Sequence, residues 1–148
     1  MEVNGWKIEP KADLSLADLS EADLRGANLR GANLRGANLF FAQLFFAHLE
    51  KANLTDANLY KADLTIANLS DAHLEKANLT VANLYKADLT DANLQGANLT
   101  GAHLTRGPAG VGAYSAWLDA LRETEGDVAD LTGANLTGAT MPDGTIHD

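Results

Sequence analysis

The chain has 148 residues, the length of one domain, and a formal charge of −9 that argues against a general nucleic-acid binder. It contains no Cys, which rules out disulfides and thiolate zinc sites and is compatible with a reducing cytosol. Met1 to Lys11 holds no apolar leader and the rest of the chain has no 18-residue apolar run, so a soluble, unexported, cytoplasmic protein without membrane contact is expected.

Residues 1–11 carry Trp6, Ile8 and Pro10 among polar residues. From Ala12 to Leu104 the sequence is one array: Ala recurs at every fifth position, and Leu comes two residues after each Ala. Trp6 and Ile8 are expected to form a lid over the open start of this array. It comprises nineteen consecutive pentads Ala-(Asn/Asp)-Leu-x-x; the middle slot departs from Asn or Asp only at Gln43, His48, His73 and His103. A fixed internal period outranks local propensity, because one such unit cannot bury its apolar side chains alone.

A period of five suits neither regular element. On a straight α-helix the Leu residues would rotate around the axis, and on a straight strand they would alternate between faces. For every Leu to reach one core, the chain must bend within each pentad and close into stacked coils, spaced like strands at roughly 4.8 Å. Ala then suits the tight inward positions near each bend and Leu the middle of each wall. Burying one Leu contributes about 1.5–3 kcal/mol, so such a lumen offsets much of the chain entropy. The slot Asn and Asp side chains are expected to bond to the backbone at the bends. The number of walls stays open on this reasoning.

The pattern closely resembles that of the pentapeptide-repeat family. All nineteen pentads match at Ala and Leu, and three later ones, beginning at Ala129, Ala134 and Ala139, match more loosely. The resemblance implies an all-β, right-handed quadrilateral β-helix, a solenoid with four pentads per coil. On that count the twenty-two pentads make about five and a half coils, a core about 25 Å long. The expected layout is a single domain: a cap at 1–11, coils at 12–105, an insertion at 106–128, and final pentads with a C-terminal cap at 129–148.

Outward positions carry whatever specificity exists. Arg25, Arg30 and Arg35 fall on successive walls of a four-sided coil, a solvated belt rather than a phosphate site. Phe40, Phe41, Phe45 and Phe46 occupy positions that should face water, with Tyr60 one coil above Phe40 and Tyr85 two above Phe45. Clustered exposed aromatics often mark a contact surface. Two readings stay open: contact with another molecule, or cover by the later insertion. Residues 48–72 return as 73–97 with 21 of 25 positions identical. The offset is five pentads, so on a four-sided coil the copy is turned by one wall. That would scramble a catalytic face and leave a scaffold intact.

After Leu104 the register slips by 22 residues before Leu131 restores it. A Gly-Pro-Ala-Gly stretch from Gly107 makes a flexible departure. From 113 to 123 the residues Tyr114, Trp117, Leu118 and Leu121 recur at helical spacing, which predicts a short amphipathic α-helix stopped at Gly126. Beyond the last pentad, Pro142-Asp143-Gly144 is a turn signal that ends the array.

The chemistry-bearing residues converge nowhere. Gly107 and Gly112 have phosphate-loop spacing, but Ala113-Tyr114 stand where Lys and Ser or Thr belong. His48, His73 and His103 fall on three different walls and His147 lies in the tail, so no metal site is expected. No nucleophile–base pair emerges. The expectation is a non-enzyme without cofactor, a scaffold that binds a protein partner through outward side chains and the inserted helix. Candidate contact residues are Phe40, Phe41, Phe45, Phe46, Tyr60, Tyr85, Tyr114 and Trp117, and a second copy of the chain is one partner they allow. Bacterial, especially cyanobacterial, relatives of this kind include at least one that regulates development by protein contact. The alternative is a DNA mimic that binds a type II topoisomerase (gyrase), as some relatives do. Acidity favours it. The regular array and the absence of Phe from the central lumen positions do not.

Overall fold

In the computed structural model, residues 1–104 and 128–148 are described. Every pentad repeats one unit. Ala, the slot residue and Leu are extended, and the two residues after Leu form a turn closed by the next Ala N–H donating to the Leu carbonyl, as from Ala17 to Leu14 at 3.1 Å. Three extended residues between turns fix the orientation: side chains alternate, so the first and third point the same way and the second points opposite. Ala and Leu therefore both face the lumen, and from Ala17 to Leu104 none is more than 6 % exposed. The slot residue, not Leu, holds the middle of each wall. That differs from the expectation of a central Leu, because the walls are only three residues long.

Parallel bridges join slot residues 20 apart, from Asp13 with Asn33 to Asn83 with His103. Four turns thus fall in each coil. The corners are named here by one member: the Thr55 corner (15–16, 35–36, 55–56, 75–76, 95–96, 137–138), the Phe40 corner (20–21, 40–41, 60–61, 80–81, 100–101), the Phe45 corner (25–26, 45–46, 65–66, 85–86) and the Glu50 corner (30–31, 50–51, 70–71, 90–91, 132–133).

The backbone N–H groups of the pentad are all accounted for. The slot N–H reaches the Ala carbonyl of the coil below, as Asn33 to Ala12 at 2.9 Å. The Leu N–H reaches the slot carbonyl above, as Leu14 to Asn33 at 2.7 Å. The second corner residue donates upward too, as Leu16 to Arg35 at 2.9 Å. The Ala N–H closes the turn. The first corner residue donates to the slot side chain two positions back, as Ser15 to Asp13 Oδ1 at 3.2 Å and Thr90 to Asp88 Oδ1 at 2.9 Å. Asn and Asp recur because their short side chains place an oxygen at that fifth N–H, as the sequence led one to expect.

The second corner residue lies in the left-handed region throughout the array, at φ from 55 to 69°. Gly takes that conformation freely, and Asp or Asn pays little for it. Leu16, Phe41, Phe46, Ile66 and Val81 adopt it as well, and for the β-branched Ile66 and Val81 it is strained.

Both edges of the coil stack are covered. At the start, β1 (Glu2–Val3) and β2 (Trp6–Lys7) form an antiparallel hairpin; Ile8 is buried and Trp6 packs on the first coil. At the far end, Ile146 pairs antiparallel with Thr140 over the buried Met141, and Pro142 takes a first corner position, where an N–H would lack a slot partner. Between them the array survives the insertion. Asp88 bridges Asp130 and Asn93 bridges Asn135, pairs 42 apart, which is one coil of 20 plus the 22 inserted residues. Ala129 N–H donates to Leu104 O at 2.8 Å, the same bond that closes every two-residue corner. The insertion thus leaves and returns at the top of the Phe45 corner. The helix expected over 113–123, with Tyr114 and Trp117, lies outside the described residues.

Candidate protein-contact surface

The two aromatic corners flank one wall, whose slots are Asp23, Gln43, Asp63, Asn83 and His103. At the Phe40 corner, Phe40 is half-buried and stacked beneath Tyr60, with ring centroids 5.6 Å apart and planes 8° apart. Phe41 meets Phe40 edge-on at 4.6 Å and is 43 % exposed. At the Phe45 corner, Phe45 and Phe46 lie 6.3 Å apart and are 41 % and 54 % exposed, with Ile66 above Phe46 and 39 % exposed. Tyr85 completes that column. The structure therefore gathers six of the eight candidate residues onto two adjacent corners; Tyr114 and Trp117 are outside the described residues.

Cations sit on this surface that residue patterns did not single out. Lys61 Nζ lies 5.1 Å from the Phe41 ring centroid and 5.4 Å from that of Tyr60; Lys86 Nζ lies 5.4 Å from that of Tyr85. The signal was there in the repeated Tyr-Lys dipeptide, but only a known coil period brings Lys61 back over Phe41. Cation–π contacts of this sort hold an ammonium against an aromatic face while leaving it wet.

Several of the other charges are tied down locally. Arg25 makes a two-pronged pair with Asp23, at 2.8 and 2.6 Å, whose hydrogen bonds bring the Asp23 carboxyl down to about 2. Asp13, Asp18 and Asp130 are held below their ordinary value by hydrogen bonds from the corner residue that each caps. His48 and His73 accept no N–H from the corner residue that follows them, and the backbone N–H of Glu50 and of Glu75 instead helps to lower that residue's own carboxyl. Burial alone would push both Glu residues up. Their hydrogen-bond partners, Arg30 for Glu50 and His73 and Thr55 for Glu75, leave them below the ordinary carboxylate value instead.

A larger groove of about 540 Å³ runs along the Thr55 corner, lined by Arg35, Asp56, Glu75 and Lys76 among others. Its charges are of both signs, and within it the Thr55 hydroxyl donates to Glu75 Oε2 at 3.2 Å. Among the described residues, no three His, Asp or Glu side chains are grouped to hold a metal, and no helix is long and apolar enough to cross a membrane.

Comparison with known proteins settles the family. The family profile described as pentapeptide repeats (8 copies) matches residues 12–45, 37–65 and 67–106. The chain is a member of the pentapeptide-repeat family. Its fold is accordingly the right-handed β-helix of that family, with the turn and bridge pattern described above. Among solved structures it is similar to the pentapeptide-repeat protein Rfr23 of the cyanobacterium Cyanothece 51142, at 33 % identity and a TM-score of 0.54, over 84 % of this chain and 66 % of that one. It is also similar to HetL, a pentapeptide-repeat protein involved in heterocyst differentiation regulation in Nostoc sp. strain PCC 7120, at 32 % identity and a TM-score of 0.35, over 94 % of this chain and 62 % of that one. QnrB1, a plasmid-mediated fluoroquinolone resistance protein, matches at 22 % identity and a TM-score of 0.42, over 87 % of this chain and 51 % of that one. This pentapeptide-repeat chain thus spans about two thirds of the length of the first two. No curated protein matches it in sequence.

Proposed function

We propose that this pentapeptide-repeat protein is a non-catalytic scaffold that holds a protein partner on the strip formed by the Phe40 and Phe45 corners. The observation that supports it comes from the internal duplication. Residues 48–72 and 73–97 differ at four positions, two of which are Asp56 against Val81 and Ile66 against Asp91. Because the copies are turned by one wall, Asp56 falls on the Thr55 corner and Asp91 on the Glu50 corner, whereas Val81 falls on the Phe40 corner and Ile66 on the Phe45 corner. The same unit is apolar where it faces the aromatic strip and acidic where it does not. Ile66 and Val81 keep that apolar character in a backbone conformation that disfavours them, and unfavourable geometry retained at an exposed Ile66 and a half-buried Val81 points to use of that surface. Counting twenty-two pentads at four to a coil, we infer about five and a half coils beneath this strip.

The decisive variant carries Phe40, Phe41, Phe45 and Phe46 all changed to Ser. Its circular dichroism should keep the β-helix signature, while self-association in sedimentation or capture of a partner is lost. Unfolding of the variant would make the four rings internal packing and end the proposal.

The net charge of −9 supports a second reading, a DNA mimic acting on gyrase. A supercoiling assay separates the two: neither inhibition nor protection at micromolar protein removes the mimic.

A further inference from the structure

Among slot residues followed by a described corner residue that has an N–H, Gln43 alone leaves that N–H uncapped with no substitute performing the duty. Every described Asn or Asp slot that precedes a residue with an N–H accepts that N–H, and after His48 and His73 the N–H of the following Glu acts on its own carboxyl instead. One methylene longer, the Gln43 carboxamide does not reach the turn. It is exposed and makes no hydrogen bond to a described residue, and the N–H of Phe45 is likewise without an acceptor. Gln43 lies on the wall between the two aromatic corners and lines an open cleft of about 390 Å³ together with Glu21, Phe40 and Phe41, and the Phe45 N–H follows two residues along the chain, at the next corner. Glu21 forms no ion pair with a described residue.

We propose that this cleft recognises the main chain of an extended protein segment that presents one apolar side chain next to a Lys or Arg. The inference rests on the contact reading above and names the partner's chemistry. A carboxamide offers one acceptor and two donors, which matches the N–H and C=O of a single extended residue. The Phe45 N–H supplies a further donor to the partner's backbone. The rings of Phe40 and Phe41 receive the apolar side chain, and Glu21 at the rim, on a chain of net charge −9, selects the neighbouring cation. An aromatic pocket with a few convergent polar groups is the usual build of such a site.

The test selects linear peptides from a displayed random library on the full chain, then measures synthetic winners by fluorescence anisotropy. The key variant is Gln43→Asn, which restores the repeat consensus. It should fold, regain the Phe45 cap and melt about 3 °C higher, the shift that one hydrogen bond gives in a chain of this size. It should also bind the peptide about tenfold more weakly. N-methylation of the central peptide bonds should abolish binding, and Glu21→Gln should weaken it about threefold and flatten its salt dependence. Equal binding by Gln43→Asn, or indifference to N-methylation, overturns the proposal. If binding survives Gln43→Asn but is lost in the Phe-to-Ser variant, the aromatic strip still makes contacts but not through main-chain recognition. A dimer of the chain that fills the cleft and ignores Gln43→Asn also overturns it.

Discussion

Residues 48–72 and 73–97 are nearly the same sequence folded twice in one molecule, and they share a backbone and part company at the surface. Leu54 N–H donates to His73 O at 2.6 Å and its counterpart Leu79 to Asn98 O at 2.7 Å; Asp56 donates to Glu75 O at 2.9 Å and its counterpart Val81 to Thr100 O at 2.9 Å. The lumen reads only the pentad, so a shift of five pentads is invisible to it. Outward neighbours are set by the coil of four pentads, so the same shift changes most of them, although Asn68 over His48 and Glu50 is repeated by Asn93 over His73 and Glu75. Glu50 stands above Arg30 at 2.8 Å, whereas its counterpart Glu75 stands above Thr55 at 3.2 Å. Stability and specificity are therefore written in two different periods of one sequence.

Core truncation tests the shared half and carries the largest effect. Leu59 and Leu84 are equivalent positions in the two copies and both are fully buried. Leu59→Ala and Leu84→Ala should each destabilise by about 2–5 kcal/mol. The two losses should agree within about 0.5 kcal/mol in urea unfolding, since each side chain meets the same Leu and Ala rings above and below. A loss at one site less than half that at the other would show that the pentads are not interchangeable.

Exchanging the surface letters tests the half that differs. Val81→Asp and Ile66→Asp place in each copy the residue that the other copy carries. Both positions have positive φ, 59° and 57°, which Asp tolerates better than a β-branched side chain. Each substitution should leave stability unchanged or raise it by up to about 1 kcal/mol in thermal melts. The double variant should nonetheless lose self-association or partner capture. Destabilisation together with unchanged association would reverse the assignment and make Ile66 and Val81 packing residues.

The comparison also marks how far the amino-acid sequence was legible. Periodicity alone demanded stacked coils with Ala and Leu inward, because no straight element keeps residues five apart on one face. It misplaced Leu at the wall centre, since the three-residue wall length is set by where the turns close. The strip of Phe40, Phe41, Phe45 and Phe46 under Tyr60 and Tyr85 was legible once a coil of twenty residues was supplied by the family resemblance. Lys61 and Gln43 were not. Lys61 gains meaning from the ring one coil below it, and Gln43 from the bond it fails to make. An exception to a repeat is visible in sequence, but its consequence depends on the duty that the regular residue performs, here the capping of one N–H.

Acid titration of Glu50 and Glu75 is the smallest effect and the sharpest on the surface half. Both carboxyls lie below their ordinary value of 4.5 in the folded chain, Glu50 with Arg30 beside it and Glu75 with His73 and Thr55. A carboxylate whose folded value is lowered contributes stability above its unfolded value, and that contribution fades as pH falls through the folded one. Glu50→Gln should therefore cost about 1 kcal/mol at neutral pH, the scale of a partly screened pair. Its deficit against the parent should shrink as pH drops below 4.5 and vanish once pH has passed below the folded value. Glu75→Gln should cost less, because the Thr55 hydroxyl donates as well to a carboxamide oxygen as to a carboxylate. Melts of the parent and both variants across this range would check the order; equal deficits at Glu50 and Glu75 would mean that Arg30 adds nothing beyond the backbone N–H, and that the rotated copy is energetically as well as structurally the same.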